Sequence, residues 1–210
     1  MKLRLFDYWR SSAGYRVRIA LALKGVEHDR VAVNLVAAEQ LSDDHRARNP
    51  QGLVPTLEVN GVPITQSLAI IDWLDATYPH PPLLPADPMA RAHALAQAMV
   101  IAADIHPIDN MRVLKRLESQ FGADQAAKDD WYRHWIATGF AALEQMAGRG
   151  PFLGGDAPGI ADLCLVPQMY NARRFALPLG DYPRLVAIDA AATALPAFAA
   201  AHPDAVKPAA

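Results

Sequence analysis

Hydrophobic and polar residues alternate in short runs over the first eighty positions, and they predict strands and helices in turn. Leu3-Arg4-Leu5-Phe6 has the period-two pattern of a strand, and the next helix begins at Ser11 and Ser12 and ends before Gly25. Further strands are predicted at 31–35, 54–59 and 62–64, a short surface helix at 38–48 and a longer helix at 67–78. Asn60-Gly61 favours a tight hairpin turn, because both residues tolerate positive φ. Residues 1–80 are therefore predicted to form an α/β domain with the order βαβ-α-ββα.

The pattern changes after a proline-rich segment that contains Pro79, Pro81, Pro82, Pro85 and Pro88. Each proline restricts φ and removes a hydrogen-bond donor, so we place a domain boundary there. Residues 88–210 are rich in alanine and leucine and predict an all-α domain of four or five helices, with helices over about 88–119, 124–147 and 159–176. The polar tail after Pro203 is expected to be frayed.

Composition narrows the class of protein. A net charge of −2 argues against general nucleic-acid binding, which requires a basic surplus. Cys164 is the single cysteine, so neither an intramolecular disulfide nor a cysteine-cluster metal site can form, and we expect a reducing compartment, the cytoplasm. The chain offers neither the apolar run of a signal peptide nor one that spans a bilayer, so we expect no membrane association.

Two neighbouring segments suggest a binding site for a peptide-like ligand. Pro55 begins an edge-like strand, and a cis Val54–Pro55 bond would expose the backbone of Val54 to an incoming peptide. Gln66 and Ser67 stand at a helix N-terminus, which favours a carboxylate. An ordinary strand–turn–helix with a serine cap explains the same residues, and on these residues alone it is the stronger interpretation.

A longer motif changes that balance. Arg10-Ser11-Ser12-Ala13-Gly14-Tyr15-Arg16-Val17-Arg18-Ile19-Ala20-Leu21 resembles the zeta-class glutathione transferase signature, in which Ser-Ser-Cys and two variable residues precede Arg-Val-Arg-Ile-Ala-Leu. Further matching segments follow in the same order: Asn49-Pro50, Val54-Pro55-Thr56-Leu57, Gln66-Ser67-Leu68-Ala69-Ile70-Ile71, Leu83-Leu84-Pro85 and Ala161-Asp162-Leu163-Cys164-Leu165-Val166-Pro167-Gln168. The resemblance covers essentially the whole chain. It implies a glutathione transferase fold, with a thioredoxin-like N-terminal domain and an all-α C-terminal bundle.

The resemblance also implies roles in the first domain. Ser11 would hydrogen-bond the glutathione sulfur and favour its thiolate, with Ser12 as the alternate because adjacent hydroxyls cannot be ranked from sequence, and Arg10 lies beside them. The remaining glutathione contacts would be Val54 and Pro55 for the cysteinyl part, Gln66 and Ser67 for the γ-glutamyl end, and Gln40 for the glycyl end.

In the second domain, the segment from Asp104 to Arg112 resembles the part of bacterial zeta-class isomerases that faces the active site. The resemblance implies that His106 and Asn110 contact glutathione or substrate and that Asp104 reaches glutathione across a dimer interface. The resemblance implies a diacid substrate, whose carboxylates require fixed cations, and the forked guanidinium of arginine suits them. The resemblance associates the position of Arg174 with a substrate carboxylate, and it makes His106 a possible substrate contact. Arg10, beside the serines, and Arg112 are further candidates for the substrate.

Other arginines are assigned no ligand. We interpret Arg16, Arg46 and Arg133 as solvated surface charges and Arg18 as a packing or ion-pairing residue. Two positions depart from the family pattern: Ala13 replaces the signature cysteine, and Gly159 replaces the usual Ser or Thr cap.

The implied function is glutathione-dependent cis–trans isomerisation of maleylacetoacetate or maleylpyruvate, two diacids that the predicted site residues do not distinguish. The alternatives are a glutathione transferase acting on small electrophilic acids such as α-halo acids, and a non-catalytic glutathione-fold binding module. A homodimer is expected from the family.

Overall fold

The structure is a computed structural model that describes residues 1–208. It consists of two compact units: the first contains Met1–Leu84 together with the C-terminal segment from Ala194, and the second contains Pro85–Thr193. The boundary between Leu84 and Pro85, where the chain passes from the first unit to the second, lies within the proline-rich segment. The segment from Ala194 packs with the first unit, a grouping that the amino-acid pattern does not indicate.

The first unit is built on a four-stranded mixed sheet. Its elements in chain order are β1 (Leu3–Asp7), α1 (Ser12–Leu23), β2 (Asp29–Ala32), a 3₁₀ turn (Glu39–Leu41), α2 (Asp43–Arg48), β3 (Thr56–Val59), β4 (Val62–Thr65), α3 (Ser67–Thr77), α9 (Pro196–Ala201) and α10 (Pro203–Val206). The strand order is β2-β1-β3-β4, with β1 parallel to β2 and antiparallel to β3, and β3 antiparallel to β4. The predicted α/β organisation is confirmed.

The turn between β3 and β4 also agrees with its prediction, since φ is 49° at Asn60 and 89° at Gly61. The second strand, predicted at 31–35, begins and ends earlier. Its parallel pairing starts at Arg4 opposite Asp29 and ends at Asp7 opposite Ala32, so the length of β1 sets its extent.

Helix α1 is covered on several sides, because it packs against both α3 and α9. Val17, Ile19 and Leu21 have no exposed surface. Even Arg16 and Arg18 are buried, at 2% and 4% exposure. The interpretation of Arg16 as a surface charge is therefore wrong, whereas Arg18 forms the predicted ion pair, with Asp7.

The C-terminal tail is also more ordered than predicted. Pro203–Val206 form α10, whose first residue Pro203 is buried, and the backbone N–H of Asp204 donates to His202 Nδ1 at 3.2 Å. The expectation of a frayed tail after Pro203 is wrong as far as Val206.

The second unit is helical. It contains α4 (Pro88–Met99), a π-helical turn (Val100–Ile105), α5 (Met111–Phe121), α6 (Gln125–Met146), α7 (Ile160–Arg174) and α8 (Pro183–Thr193). The helices predicted at 124–147 and 159–176 are present. No helix within residues 1–208 has the length and apolar character needed to cross a membrane.

The helix predicted over 88–119 is interrupted, and that prediction is wrong. The π-helical turn ends in the bond from His106 N–H to the carbonyl of Ile101, and Pro107 has no N–H with which to continue the helical ladder. Asn110 is extended, with ψ at 145°, and its Oδ1 accepts the N–H of Arg112 at 3.1 Å, which starts α5. The break separates residues 106–110 from both helices.

Helix α7 begins at the glycine that replaces the usual cap. Asp162, which has no exposed surface, accepts the N–H of Gly159 at 2.9 Å and that of Leu153 at 2.8 Å. The carboxylate half of a capping box therefore holds the helix start without a hydroxyl at Gly159. Cys164 is fully buried in this helix.

Candidate active site

Strand register places three loops of the first unit at one end of the sheet. Phe6 pairs with Thr56, and Thr56 pairs with Thr65, so these three residues lie side by side across β1, β3 and β4. Beyond this level β1 runs into residues 8–11, β3 is preceded by Val54–Pro55, and β4 continues into Gln66. The residues predicted to bind glutathione in these loops therefore share one sheet end.

Ser11 is the N-cap of α1. Its Oγ accepts the N–H of Gly14 at 3.1 Å, and its own N–H donates to the carbonyl of Tyr8 at 2.8 Å. A hydroxyl has two acceptor lone pairs and one donor, so the capping bond does not use the Ser11 proton. Ser11 can thus cap the helix and still donate to a thiolate, while Ser12 is the first residue of the helix.

A buried ion pair lies beneath this loop. Arg18 donates to the carboxylate of Asp7, to the carbonyl of Trp9 at 3.0 Å and to the carbonyl of Ala201 at 3.0 Å. Burial raises the pKa of Asp7, and the charge of Arg18 partly offsets the effect. The pair ties β1 and the loop before Ser11 to α9.

Gly14 permits this close packing. A Cβ atom at Gly14 would lie 1.7 Å from Oδ1 of Asp7. Only a residue without a side chain allows α1 to approach the carboxylate in this way.

The peptide group at Val54 is open. The Val54–Pro55 bond is cis, as predicted, and within the described residues the N–H and C=O of Val54 make no hydrogen bond. Val54 is half-buried and Pro55 is buried. A free donor and acceptor on one residue beside a sheet can pair with an extended peptide.

Gln66 has an unusual backbone, with φ at 69°. Such a conformation is uncommon for a residue with a side chain and is found at ligand-binding positions. The side-chain Nε2 of Gln66 donates to Oε1 of Gln51 at 2.6 Å, which holds the amide in place. Sequence reasoning missed Gln51, and only its position directly after the Asn49-Pro50 match could have indicated it.

Ser67 is the first residue of α3 and is 6% exposed. Its Oγ accepts a hydrogen bond from Nη1 of Arg16 at 3.3 Å. Because no side chain caps α3, the first backbone N–H groups of the helix are available to a carboxylate.

Gln40 lies in the 3₁₀ turn, and its Oε1 is buried without a hydrogen-bond partner within the described residues. A Cβ atom at Gly52 would lie 3.2 Å from the carbonyl of Gln40, so the turn packs closely on the segment before Val54. An unsatisfied amide oxygen is costly unless a ligand or water donates to it.

Taken together, these groups fit glutathione. A carboxylate suits the start of α3, a peptide group suits Val54, and a thiolate suits the Ser11 hydroxyl at the start of α1.

Within residues 1–208, no group of three or more His, Cys, Asp or Glu side chains could hold a metal ion.

Arg10, a predicted site residue, and Ala13 flank the serine pair. Arg10 is exposed, and its guanidinium carbon lies 5.4 Å from the ring centroid of Trp9. Ala13, at the position of the family cysteine, is buried. The structure leaves Arg10 accessible at the loop that carries Ser11.

Four of the predicted residues of the second unit lie in or beside the helix break. Asp104 lies in the π-helical turn and is exposed, His106 follows the turn and is half-buried, Asn110 caps α5, and Arg112 is exposed near the start of that helix. A Cβ atom at Gly139 of α6 would lie 2.3 Å from Cδ1 of Ile105, so this glycine lets the π-helical turn pack closely on α6.

Asp109 lies inside the same segment and was not singled out from sequence. It is 3% exposed, and within the described residues neither carboxyl oxygen has a hydrogen-bond partner. Burial raises the pKa of Asp109 to about 8. The side chain is therefore largely a neutral acid at neutral pH.

The two arginines at the end of α7 differ. Nη2 of Arg173 lies 2.7 Å from Oδ2 of the buried Asp189, an ion pair within the helical unit. Arg174 donates to Oδ1 of Asn171 at 3.1 Å, and its guanidinium carbon lies 5.4 Å from the centroid of the Phe175 ring. Arg174 is exposed, and its guanidinium has donors left for a ligand.

Both the sequence and the fold are similar to those of known proteins. Residues 1–76 match the family model for the glutathione S-transferase N-terminal domain. The chain is 48% identical to a maleylacetoacetate isomerase of Rhizobium meliloti over 97% of both proteins.

Solved structures with the same fold include a holo maleylpyruvate isomerase, described as a bacterial zeta-class glutathione S-transferase, with a TM-score of 0.96 and 45% identity over 99% of this chain and 100% of that one. A maleylacetoacetate isomerase of Anaeromyxobacter dehalogenans with glutathione bound in its active site has a TM-score of 0.89 and 45% identity over 100% of this chain and 98% of that one. The chain therefore belongs to the zeta-class glutathione transferases, the family of the maleylacetoacetate and maleylpyruvate isomerases.

Proposed function

We propose that the protein is a glutathione-dependent isomerase that converts maleylacetoacetate or maleylpyruvate to the fumaryl isomer in the breakdown of aromatic compounds. The observation that carries the proposal is the end of the sheet in the first unit, where Ser11, the open backbone of Val54 and the start of α3 at Ser67 lie on adjacent loops. The names of relatives that match over nearly the whole chain support the choice of reaction.

In this proposal, the first unit binds glutathione along the sheet end. Val54 pairs its N–H and C=O with the cysteinyl residue, Gln66 and Ser67 hold the γ-glutamyl end, and Gln40 accepts from the glycyl end. Gln51 keeps the Gln66 amide oriented through its 2.6 Å hydrogen bond.

Ser11 supplies the hydroxyl donor to the sulfur, and the N-terminus of α1 adds favourable potential for a negative charge. Bound glutathione supplies a thiolate that adds to the cis double bond and is released after rotation about the resulting single bond. Each unit by which the thiol pKa is lowered corresponds to about 1.4 kcal/mol in favour of the thiolate. Ser12 remains the alternate donor.

On the second unit, His106, Asn110, Arg112 and Arg174 remain predicted ligand contacts. Their task is to hold the two carboxylates of the substrate and to stabilise the negative charge that develops on it. Arg10 is a further candidate for a substrate carboxylate. Asp104 remains a predicted contact to glutathione across a homodimer interface.

Ala13 constrains the mechanism. A side-chain thiol is absent at this position, so the proposed reaction uses only the sulfur of glutathione. The single cysteine, Cys164, is buried in α7 and is not a candidate nucleophile. A chain with one buried thiol also suits the reducing conditions of the cytoplasm, where we place the protein.

The test follows the absorbance of enzymatically generated maleylpyruvate and maleylacetoacetate, with purified protein and with or without glutathione. Conversion of either diacid only when glutathione is present supports the isomerase and ranks the substrates. Activity on α-halo acids without isomerisation would assign the protein as a transferase. Failure to bind glutathione at millimolar concentration would leave a non-catalytic module.

A further inference from the structure

Arg16 is a buried cation with a direct contact to the predicted glutathione site. It lies on α1, is 2% exposed, and is the largest fully buried side chain in the described part of the chain. Its Nη1 donates to Oγ of Ser67 at 3.3 Å, across the packing of α1 on α3. Because Arg16 is buried, its positive charge is not stabilised by solvent at the protein surface.

The direction of this hydrogen bond determines what Ser67 can do. A guanidinium only donates, so Ser67 Oγ is the acceptor and its own proton is not used. Within residues 1–208, Ser67 Oγ makes no other hydrogen bond, and it caps no helix. The remaining donor of Ser67 is therefore available to an acceptor outside the protein.

The surroundings of Ser67 specify the charge of that acceptor. Ser67 opens an eleven-residue helix whose first N–H groups carry no side-chain cap, and the helix dipole favours an anion there. The Arg16 charge lies behind the hydroxyl, and arginine stays protonated even when buried. A carboxylate is the ligand group that satisfies the hydroxyl, the N–H groups and the charge together.

We propose that Arg16 is a positioning residue for glutathione binding, which fixes the Ser67 hydroxyl as a donor to the γ-glutamyl carboxylate. The inference rests on the proposed function, because the ligand is glutathione. Arg16 acts through Ser67 and through its charge, without touching the reacting sulfur. It should therefore set the KM for glutathione more than kcat.

Four variants test the role: Arg16→Met, Arg16→Lys, Ser67→Ala and the double variant that combines Arg16→Met with Ser67→Ala. Calorimetry measures the affinity of each for glutathione and for the analogue in which 4-aminobutyrate replaces the γ-glutamyl residue and so lacks the carboxylate. Thermal unfolding checks that each variant is folded.

We expect Arg16→Met to weaken glutathione binding about 10- to 100-fold, as for loss of a hydrogen bond to a charged group, and to leave the affinity for the analogue nearly unchanged. Arg16→Lys keeps the charge and should restore part of the preference for glutathione over the analogue. In the Ser67→Ala background, Arg16→Met should cost much less than in the wild type, because the hydroxyl it orients is already absent.

Equal loss of affinity for both ligands would mean that Arg16 only stabilises the fold, and additive effects of the Arg16 and Ser67 changes would exclude action through Ser67. If Arg16→Met does not fold, the ligand preference of Arg16→Lys and Ser67→Ala decides the question: a preference equal to that of the wild type in both overturns the proposal. Absence of glutathione binding by the wild-type protein would instead contradict the proposed function itself.

Discussion

Two serine hydroxyls of the candidate site accept a hydrogen bond from the protein and keep their own proton for donation. Ser11 and Ser67 each accept a hydrogen bond from the protein, from Gly14 N–H and from Arg16 respectively. Each retains its proton for a ligand. The sequence motif predicted a ligand contact for both serines. The hydrogen bond from Arg16 to Ser67 was missed, because nothing in the sequence around Arg16 shows that α3 and α9 cover this part of α1.

Gly14 is the residue whose replacement should disturb this site most. In Gly14→Ala the added Cβ would lie 1.7 Å from Asp7 Oδ1, so the carboxylate or α1 must move and the pairing of Asp7 with Arg18 is disturbed. We expect a loss of about 3 kcal/mol in the free energy of unfolding, measured by urea denaturation.

Gly148→Ala is the matched control for that experiment, because a Cβ at Gly148 meets nothing within 4 Å. A stability of Gly14→Ala equal to that of the control would mean that the close approach of α1 to Asp7 is not required.

Arg174 and Arg173 form a natural pair for testing substrate recognition. Arg174→Ala should raise the KM for the diacid about tenfold or more, because a donor to a carboxylate is lost, with little change in stability. Arg173→Ala removes the ion pair with Asp189 and should instead lower the melting temperature with the KM nearly unchanged. Steady-state kinetics and thermal unfolding of both variants separate the roles. An unaltered KM in Arg174→Ala would refute its assignment to the carboxylate.

At the scale of elements, the sequence predicted strands and helices well where the signal is local. Asn60 and Gly61 predicted a turn because both residues tolerate positive φ, and Pro55 predicted a cis bond because such bonds occur mainly before proline. The first and last residues of β2 depend on its pairing with β1, and the periodicity of the sequence gives no information about that pairing. The break after α4 was missed because the apolar pattern continues through Ile101 and Ile105, whereas the backbone changes to a π-helical turn before Pro107.

The segment that follows the break carries a measurable pH effect. The folded pKa of Asp109 is about 8, against an ordinary value of 3.8, because burial opposes its charge. The folded state therefore keeps a proton that the unfolded state releases. The contribution of this bound proton to the free energy of unfolding is complete below about pH 4, decreases as the pH rises, and is lost above about pH 8.

Asp109→Asn removes this ionisation with little change in shape. Its melting temperature relative to that of the wild type should therefore rise steadily from pH 4 to pH 8, as followed by circular dichroism. Asp104→Asn, at an exposed carboxylate of the π-helical turn that precedes this segment, is the control. A difference between wild type and Asp109→Asn that does not vary with pH would show that Asp109 is charged in the folded protein.

For the whole molecule, the family motif carried more information than composition did. Net charge and cysteine content argued against broad classes of protein, whereas the series of motifs from Arg10 to Gln168 predicted the fold, which is confirmed, and the residues of the candidate site. Gln51 and Asp109 were missed because their roles depend on neighbours distant in sequence or on burial. The segment from Ala194 was grouped with the helical domain, since no local signal shows that α9 packs on α1.

The proposed mechanism depends above all on activation of the glutathione thiol by the first unit, and ultraviolet titration of bound glutathione measures that activation directly. We predict a thiol pKa at least about one unit below the free value of about 8.5 in the wild type. Ser11→Ala should return the pKa towards the free value. Ser42→Ala, which removes the equivalent N-cap of α2, should leave the lowered pKa in place. A titration curve of the wild-type complex identical to that of free glutathione would contradict the mechanism.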